Sequence, residues 1–181
     1  MTVPNLITIL RILLVPIFII YVINDRPLAS LIVFMLASIS DALDGFIARV
    51  FHQKTNLGAH LDPLADKILL MTAYITLAIF KMVPPWLAVL TISRDVIILL
   101  GVLILHLTNH PVKIHPSILS KMTTCIQVAT ILIVLSLGYI DVGFLKVYFF
   151  WLAATFTIAS GLQYIRHGLI ILTQGAKSNF A

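Results

Sequence analysis

Long apolar runs dominate this chain and restrict what it can fold into. Six segments have the length of about 20 residues that a helix needs to cross the hydrocarbon layer of a bilayer. They are residues 5–23, 28–50, 61–82, 85–107, 117–138 and 145–172. Hydrophobic residues make up 60% of the 181 positions and charged residues only 10%, against about 25% charged residues in soluble domains. We therefore predict an all-α integral membrane bundle of six transmembrane helices.

The connections between these segments are short and contain turn residues, at 24–27, 52–58, 83–84, 109–116 and 139–143. None could hold a second domain, so residues 1–181 are predicted to form a single membrane domain. The first residues have neither a charged leader nor a small-residue cleavage site, and the first segment is interpreted as a retained helix. A small excess of Lys and Arg on one side predicts a cytoplasmic N-terminus and a cytoplasmic 52–58 connection.

A net charge of +5 is also typical of proteins that bind nucleic acid, but the twelve Lys and Arg residues are scattered here. They form neither a basic run nor the interleaving with aromatic residues that a nucleic-acid-binding face needs. We expect no nucleic acid. Contact with anionic lipid head groups, or with the phosphates of a substrate, explains the basic balance.

The charges that fall inside apolar segments are concentrated in the first four. The fifth and sixth segments contain uncharged runs at 122–139 and 147–165. The first four are interrupted by Arg11, Asp41, Asp44, Asp62, Asp66, Lys67, Arg94 and Asp95. An ionised side chain at mid-membrane costs about 2.5–3.5 kcal/mol. Four aspartates within 26 residues therefore need metal ions or a bound polar ligand to offset that cost.

The four aspartates form two pairs. Asp41 and Asp44 are three residues apart and Asp62 and Asp66 four apart, and both spacings place a pair on one helix face. The first pair ends the second segment and the second pair opens the third, so the loop folds them toward each other. Four carboxylates favour Mg²⁺ or Mn²⁺, as two ions. The alternative, aspartates solvated at helix ends, explains one pair more readily than two pairs around one loop.

Small residues and one arginine accompany the aspartates. Gly45 and Ala48 lie on the helical stripe of the first pair, where they would let a phosphorylated ligand approach the backbone. Arg49, one turn further on, can donate two hydrogen bonds to a phosphate. Gly58 permits a close backbone turn before the third segment. Together these residues predict a pocket for a phosphorylated ligand.

The run from Asp41 to Asp66 reads DxxDGxxAR, eight residues, then GxxxDxxxD. This pattern resembles the signature of the CDP-alcohol phosphatidyltransferase family at every fixed position, and the six segments resemble that family over essentially the whole chain. The resemblance implies that Asp41, Asp44, Asp62 and Asp66 bind the metal ions and that Asp66 is also the general base. It implies that Gly45, Ala48, Arg49 and Gly58 line the pocket for CDP. It also implies CDP-diacylglycerol as the donor, direct in-line transfer to a small alcohol, and a homodimer.

The N-terminal residues Pro4-Asn5-x-x-Thr8-x-x-Arg11 are similar to the start of many family members that make phosphatidylglycerol-type lipids. Asn5 and Thr8 lie one turn apart, and the resemblance implies that they contact the nucleotide or its phosphates. The alternative is that Asn5 is only a helix N-cap and interface anchor.

Arg94 and Lys121 are cations within otherwise apolar segments, which makes each a functional hypothesis. We predict that they hold the phosphate of the acceptor. The alternative for Arg94 is a pair with adjacent Asp95 or with an aspartate of the metal site. Lys67 is interpreted as a charge-balancing neighbour of Asp66. The histidines between positions 106 and 115 are interpreted as interface residues, not as metal ligands.

Two glycerol-type acceptors remain open: glycerol 3-phosphate and phosphatidylglycerol. The segment Ser93-Arg94-Asp95-Val96 and the pattern Ser120-Lys121-x-x-Thr124-x-x-Gln127 look closer to the CMP-forming cardiolipin synthase branch, which uses phosphatidylglycerol. The phosphatidylglycerophosphate synthase branch usually has a further arginine where residues 99–101 are Leu-Leu-Gly here. That branch is nevertheless the more widespread among short members, and glycerol 3-phosphate stays the first prediction.

Two other classes of membrane protein could use intramembrane aspartates. Intramembrane prenyltransferases are longer and have two separated aspartate motifs, whereas this chain has one cluster. A cation transporter would distribute its acidic residues through the depth of the bilayer. Here they gather at one end of two predicted helices, which favours the phosphatidyltransferase.

Overall fold

The computed structural model describes the backbone of residues 3–50, 56–107, 117–136 and 143–178, and side chains within 9–40, 67–101, 117–136 and 143–168 and at position 170. The described backbone contains six helices and no strand, which confirms the all-α class. They are α1 (Val3–Ile23), α2 (Pro27–Val50), α3 (Asn56–Ile79), α4 (Pro85–Leu107), α5 (Ile118–Ser136) and α6 (Gly143–Ser178). Proline stands first in α2 and α4, where its missing N–H and fixed φ angle suit the start of a helix.

Helices α1 and α3 end in the same type of turn. Asp25 and Lys81 have positive φ angles of 51° and 58°. The N–H of the residue after each one donates to a carbonyl five residues back, Arg26 to Tyr21 and Met82 to Leu77, both at 2.9 Å. This is the Schellman arrangement, which satisfies the last carbonyls of a helix. A small cleft lined by residues of both turns places them at the same end of the bundle.

The six helices share one apolar core. Helix α1 packs against α2 and α3, α6 packs against α4 and α5, and α2–α5 and α3–α4 contacts join the two groups. Every helix contributes buried side chains, among them Phe18, Phe34, Leu77, Leu87, Ile131 and Phe150. The boundary of a single domain at 1–181 stays a prediction.

The outer surface of the described helices is also apolar, with large hydrophobic side chains exposed on all six. Two helical segments in the described part of the chain are long and apolar enough to cross a membrane, Ile118–Ser136 and Gly143–Gly168. Shorter apolar segments occur at Ile9–Ile23, Pro27–Ser40 and Lys67–Ile79. The prediction of six spans therefore remains open beyond these two.

The third and sixth helices are longer than the apolar pattern predicts. Helix α3 begins at Asn56, five residues before the predicted start, and α6 continues to Ser178 instead of ending near residue 172. The interpretation of Gly58 as a turn before the third helix was wrong, because Gly58 lies inside α3. The physical reason is that a helix satisfies its own backbone hydrogen bonds, so polar residues at its ends need not interrupt it.

Candidate active site

The four predicted metal ligands lie on two neighbouring helices. Asp41 and Asp44 belong to α2 and Asp62 and Asp66 to α3, and these two helices contact each other. The side chains of the predicted metal and CDP sites lie outside the described residues; they are Asn5, Thr8, Asp41, Asp44, Gly45, Ala48, Arg49, Gly58, Asp62 and Asp66. Their convergence stays a prediction. Among the side chains that are described, no group of three or more His, Cys, Asp or Glu could hold a metal ion.

Arg94 makes hydrogen bonds within its own helix and to two other helices. It lies on α4, is 6% exposed, and its Nη1 donates to Oδ1 of Asp95 at 2.7 Å. Its Nη2 donates to the hydroxyls of Ser120 on α5 at 2.6 Å and Ser160 on α6 at 3.0 Å. The pair with Asp95, which the sequence offered as an alternative, is thus present. The acceptor role of Arg94 stays a prediction.

Lys67 brings α3 into the same cluster. Its Nζ lies 3.6 Å from Oδ1 of Asp95, the oxygen that also accepts from Arg94. The described partner of Lys67 is thus Asp95; the interpretation of Lys67 as a charge-balancing neighbour of Asp66 stays a prediction, because the side chain of Asp66 lies outside the described residues. We call Lys67, Arg94, Asp95, Ser120 and Ser160 the Asp95 cluster. It links α3, α4, α5 and α6 at one level of the bundle. Its member on α3, Lys67, directly follows Asp66 in the sequence.

Lys121, the second predicted acceptor ligand, differs from Arg94 in its surroundings. It is exposed near the start of α5, one residue after the Ser120 hydroxyl that Arg94 contacts. Lys121 is thus open to solvent or lipid, whereas Arg94 is buried. Its acceptor role stays a prediction. Arg11, which the sequence placed within the first span, is fully buried on α1.

A second polar layer lies deeper between α5 and α6, and the sequence analysis missed it. Nε2 of Gln127 donates to Oγ1 of Thr157 at 3.1 Å, and the hydroxyl of Thr123 donates to the carbonyl of Phe156 at 3.2 Å. The hydroxyl of Tyr74 on α3 donates to the backbone carbonyl of Gln127 at 3.3 Å. The signal was available: Thr123, Gln127 and Thr130 recur on one face of α5 at helical spacing.

The comparison with known proteins decides the family. The family model described as CDP-alcohol phosphatidyltransferase matches residues 1–159. The chain belongs to the CDP-alcohol phosphatidyltransferase family. This confirms the resemblance drawn from the run between Asp41 and Asp66, and it places the chain in a family of enzymes.

Relatives of this phosphatidyltransferase chain carry two kinds of name, cardiolipin synthase and CDP-diacylglycerol–glycerol-3-phosphate 3-phosphatidyltransferase. The CMP-forming cardiolipin synthase of Rattus norvegicus is 34% identical across 92% of this chain and 61% of its own length. The CDP-diacylglycerol–glycerol-3-phosphate 3-phosphatidyltransferase of Bacillus subtilis is 35% identical across 89% of this chain and 92% of its own length. The enzyme of that name from Aquifex aeolicus is 33% identical across 81% of this chain. The chain thus spans about three fifths of the animal cardiolipin synthases that it matches.

Proposed function

We propose that this chain transfers a phosphatidyl group from CDP-diacylglycerol to a glycerol-type alcohol and releases CMP. The observation that carries the proposal is the complete family motif between Asp41 and Asp66, borne by two helices, α2 and α3, that contact each other. The family match over residues 1–159 supports the same reaction class. Neither a prenyltransferase nor a cation transporter accounts for the glycine, alanine and arginine positions within the motif.

Asp41, Asp44, Asp62 and Asp66 are proposed to hold one or two Mg²⁺ or Mn²⁺ ions. The donor set fits these ions, because four carboxylates supply only hard oxygen ligands. When bound, such ions would neutralise the diphosphate and stabilise the charge that develops on the leaving group. The i,i+3 and i,i+4 spacings, now located within helices α2 and α3, are compatible with one shared site.

Asp66 is proposed to act as the general base. It would take the proton from the acceptor hydroxyl, whose oxygen attacks the phosphorus that carries diacylglycerol. A bond forms between that oxygen and the phosphorus, and the bond from the phosphorus to the bridging diphosphate oxygen breaks, so CMP leaves. Gly45, Ala48, Arg49 and Gly58 would line the CDP pocket, with Asn5 and Thr8 of α1 at the nucleotide or its phosphates.

The first candidate acceptor is glycerol 3-phosphate, as in phosphatidylglycerophosphate synthases. The Bacillus subtilis relative that is named for this acceptor aligns along 92% of its own length. The second candidate is phosphatidylglycerol, as in CMP-forming cardiolipin synthases, and the segment 93–96 and the rat and human relatives favour it. Arg94 and Lys121 are the proposed phosphate ligands for either acceptor, since both carry a phosphate.

The proposed setting is a multi-pass membrane protein whose active site faces the cytoplasm, acting as a homodimer. The two segments that are apolar enough to span, Ile118–Ser136 and Gly143–Gly168, support the membrane location. The apolar outer surface of the other described helices points the same way. In this arrangement the α2–α3 connection lies on the cytoplasmic side.

The decisive experiment supplies purified protein with CDP-diacylglycerol and each acceptor in turn. We expect release of CMP, abolition of that release by a chelator, and its recovery with Mg²⁺ or Mn²⁺. Mass spectrometry of the lipid product identifies the acceptor: phosphatidylglycerophosphate from glycerol 3-phosphate, or cardiolipin from phosphatidylglycerol. Absence of CMP release with every glycerol-type acceptor would overturn the proposal, and release that survives the chelator would overturn the metal site.

A further inference from the structure

The Asp95 cluster has one carboxylate at its centre. Asp95 is 2% exposed, and its Oδ1 lies 2.7 Å from Nη1 of Arg94 and 3.6 Å from Nζ of Lys67. Removing one partner from a buried charge pair is strongly destabilising, because it leaves an uncompensated charge. A single oxygen that pairs with Arg94 of its own helix and with Lys67 of α3 therefore provides a polar link between α4 and α3.

The α4 side of this coupling is held in place by two further helices. Arg94 is the neighbour of Asp95 on α4, and its guanidinium is also held from outside that helix. The hydroxyls of Ser120 and Ser160 provide that hold from α5 and α6. The Asp95 carboxylate, which Lys67 contacts, is thus held in place by side chains of α4, α5 and α6.

On α3, the residue that pairs with Asp95 lies next to the predicted catalytic residues. Lys67 follows Asp66 directly and stands five residues after Asp62. From Leu69 onward α3 is fixed by core side chains, with Leu69, Leu70, Ala73 and Tyr74 all buried. Among the described contacts, the Lys67–Asp95 pair is the polar link nearest to Asp66. It joins α3 to α4 at the point where the described core side chains of α3 begin.

We propose that Asp95 is a positioning residue for the transfer reaction, acting through its ion pair with Lys67 to fix the segment of α3 that carries Asp62 and Asp66. This inference rests on the proposed function. Catalytic groups that are displaced by about 1 Å can lose about 10²-fold in rate. Loss of the Lys67–Asp95 link should therefore lower kcat by about 10-fold or more. In Lys67→Met, which leaves the Arg94–Asp95 pair in place, the KM for each substrate should stay close to that of the unmodified protein.

The experiment compares Asp95→Asn, Lys67→Met, the double variant and Asp95→Glu in the full chain. Turnover is expressed per molecule that binds CDP-diacylglycerol, so that loss of folded protein does not count as loss of kcat. Asp25→Asn is the matched control, because it makes the same chemical change in an exposed turn at the opposite end of the bundle. The unmodified protein must release CMP, and its failure to do so would reject the proposed function and not the role of Asp95.

Three results would support the positioning role. Both single variants lose turnover, and Lys67→Met does so with little change in KM. The double variant loses no more than the worse single variant, and Asp95→Glu, which keeps the charge, retains most of the turnover. Three results would overturn it. They are multiplicative losses in the double variant, a change confined to the KM of the acceptor, or normal turnover per binding site in Lys67→Met, whose Asp95 still pairs with Arg94.

Discussion

The bundle buries two contrasting regions. Toward the turns that end α1 and α3 its core is mainly apolar, and Phe18 and Phe34, both fully buried, lie with ring centroids 5.7 Å apart and ring planes tilted by 50°. Near the first described side chains of α3, the Asp95 cluster buries an aspartate, an arginine and the hydroxyl of Ser160, with Ser120 and Lys67 partly exposed. One region is held by packing and the other by directed hydrogen bonds and ion pairs.

The difference teaches what each region contributes. In lipid, helix association depends on packing and interhelical hydrogen bonds, because the lipid tails are as apolar as the side chains. A buried ion pair is weak support for stability, since its desolvation penalty can exceed its Coulombic gain. The apolar region therefore accounts for stability. The charged region lies beside the predicted catalytic segment, where precise placement matters more than stability.

The comparison is tested most severely by Asp66→Asn, which should remove function and spare the fold. We expect turnover to fall by about 10³-fold, because the proposed general base is lost and such bases contribute about 10²–10⁴-fold. Membrane insertion and binding of CDP-diacylglycerol should persist. The measurement is CMP release alongside a binding titration with the lipid.

Asp25→Asn is the control for this variant too, and it should keep full turnover. Full activity in Asp66→Asn would reject the assignment of the base. If instead the variant fails to insert into the membrane, the separation between the functional and the stabilising region is wrong.

Phe34→Ala should have the opposite effect, lowering stability and sparing chemistry. We expect the free energy of unfolding to fall by about 3 kcal/mol, the lower end of the range for truncating a buried phenylalanine. The lower end applies because burial between helices gains no hydrophobic driving force over contact with lipid tails. Turnover per folded molecule should be unchanged. The measurement is equilibrium unfolding in mixed micelles, with CMP release on the folded fraction.

Phe144→Ala is the matched control for the packing prediction. Phe144 is 76% exposed near the start of α6, and the same truncation there should leave the unfolding free energy almost unchanged. Equal losses in the two variants would mean that the contact between the buried rings of α1 and α2 contributes nothing specific. The proposed difference between the two regions would then be rejected.

The apolar region could be predicted well from the sequence. The starts of α2 and α4 fall at or within one residue of the predicted positions, because hydrophobic length and the prolines at 27 and 85 determine them. The start of α3 was missed because polar residues were interpreted as a loop, although a helix can continue through them. The Schellman turns at Asp25 and Lys81 lack the glycine that usually marks such turns.

The charged region could be predicted only in part. Arg94–Asp95 pairing was one of two alternatives, since adjacency in sequence suggested it. The contacts of Arg94 with Ser120 and Ser160 depend on how α4, α5 and α6 are rotated about their axes. The sequence does not indicate which neighbour a serine within an apolar helix faces. The motif itself was recognised by its resemblance to the family signature, from residue types at fixed spacing. Chemistry at a fixed spacing is thus easier to infer than polar contact between distant helices.

Gln127→Leu is expected to have the smallest effect. It sharpens the comparison because it tests whether a buried polar side chain outside the Asp95 cluster affects turnover. Gln127 is fully buried and donates to Thr157, but its Oε1 has no hydrogen-bond partner. Leucine loses one interhelical hydrogen bond, worth about 0.6 kcal/mol on average in membrane proteins, and removes an unsatisfied carbonyl. We expect the unfolding free energy to change by less than about 1 kcal/mol, with turnover unchanged, in the same micelle and CMP-release assays. The matched change at exposed Gln163 should be neutral; a large loss of turnover in Gln127→Leu alone would extend the functional region beyond the Asp95 cluster into this deeper layer.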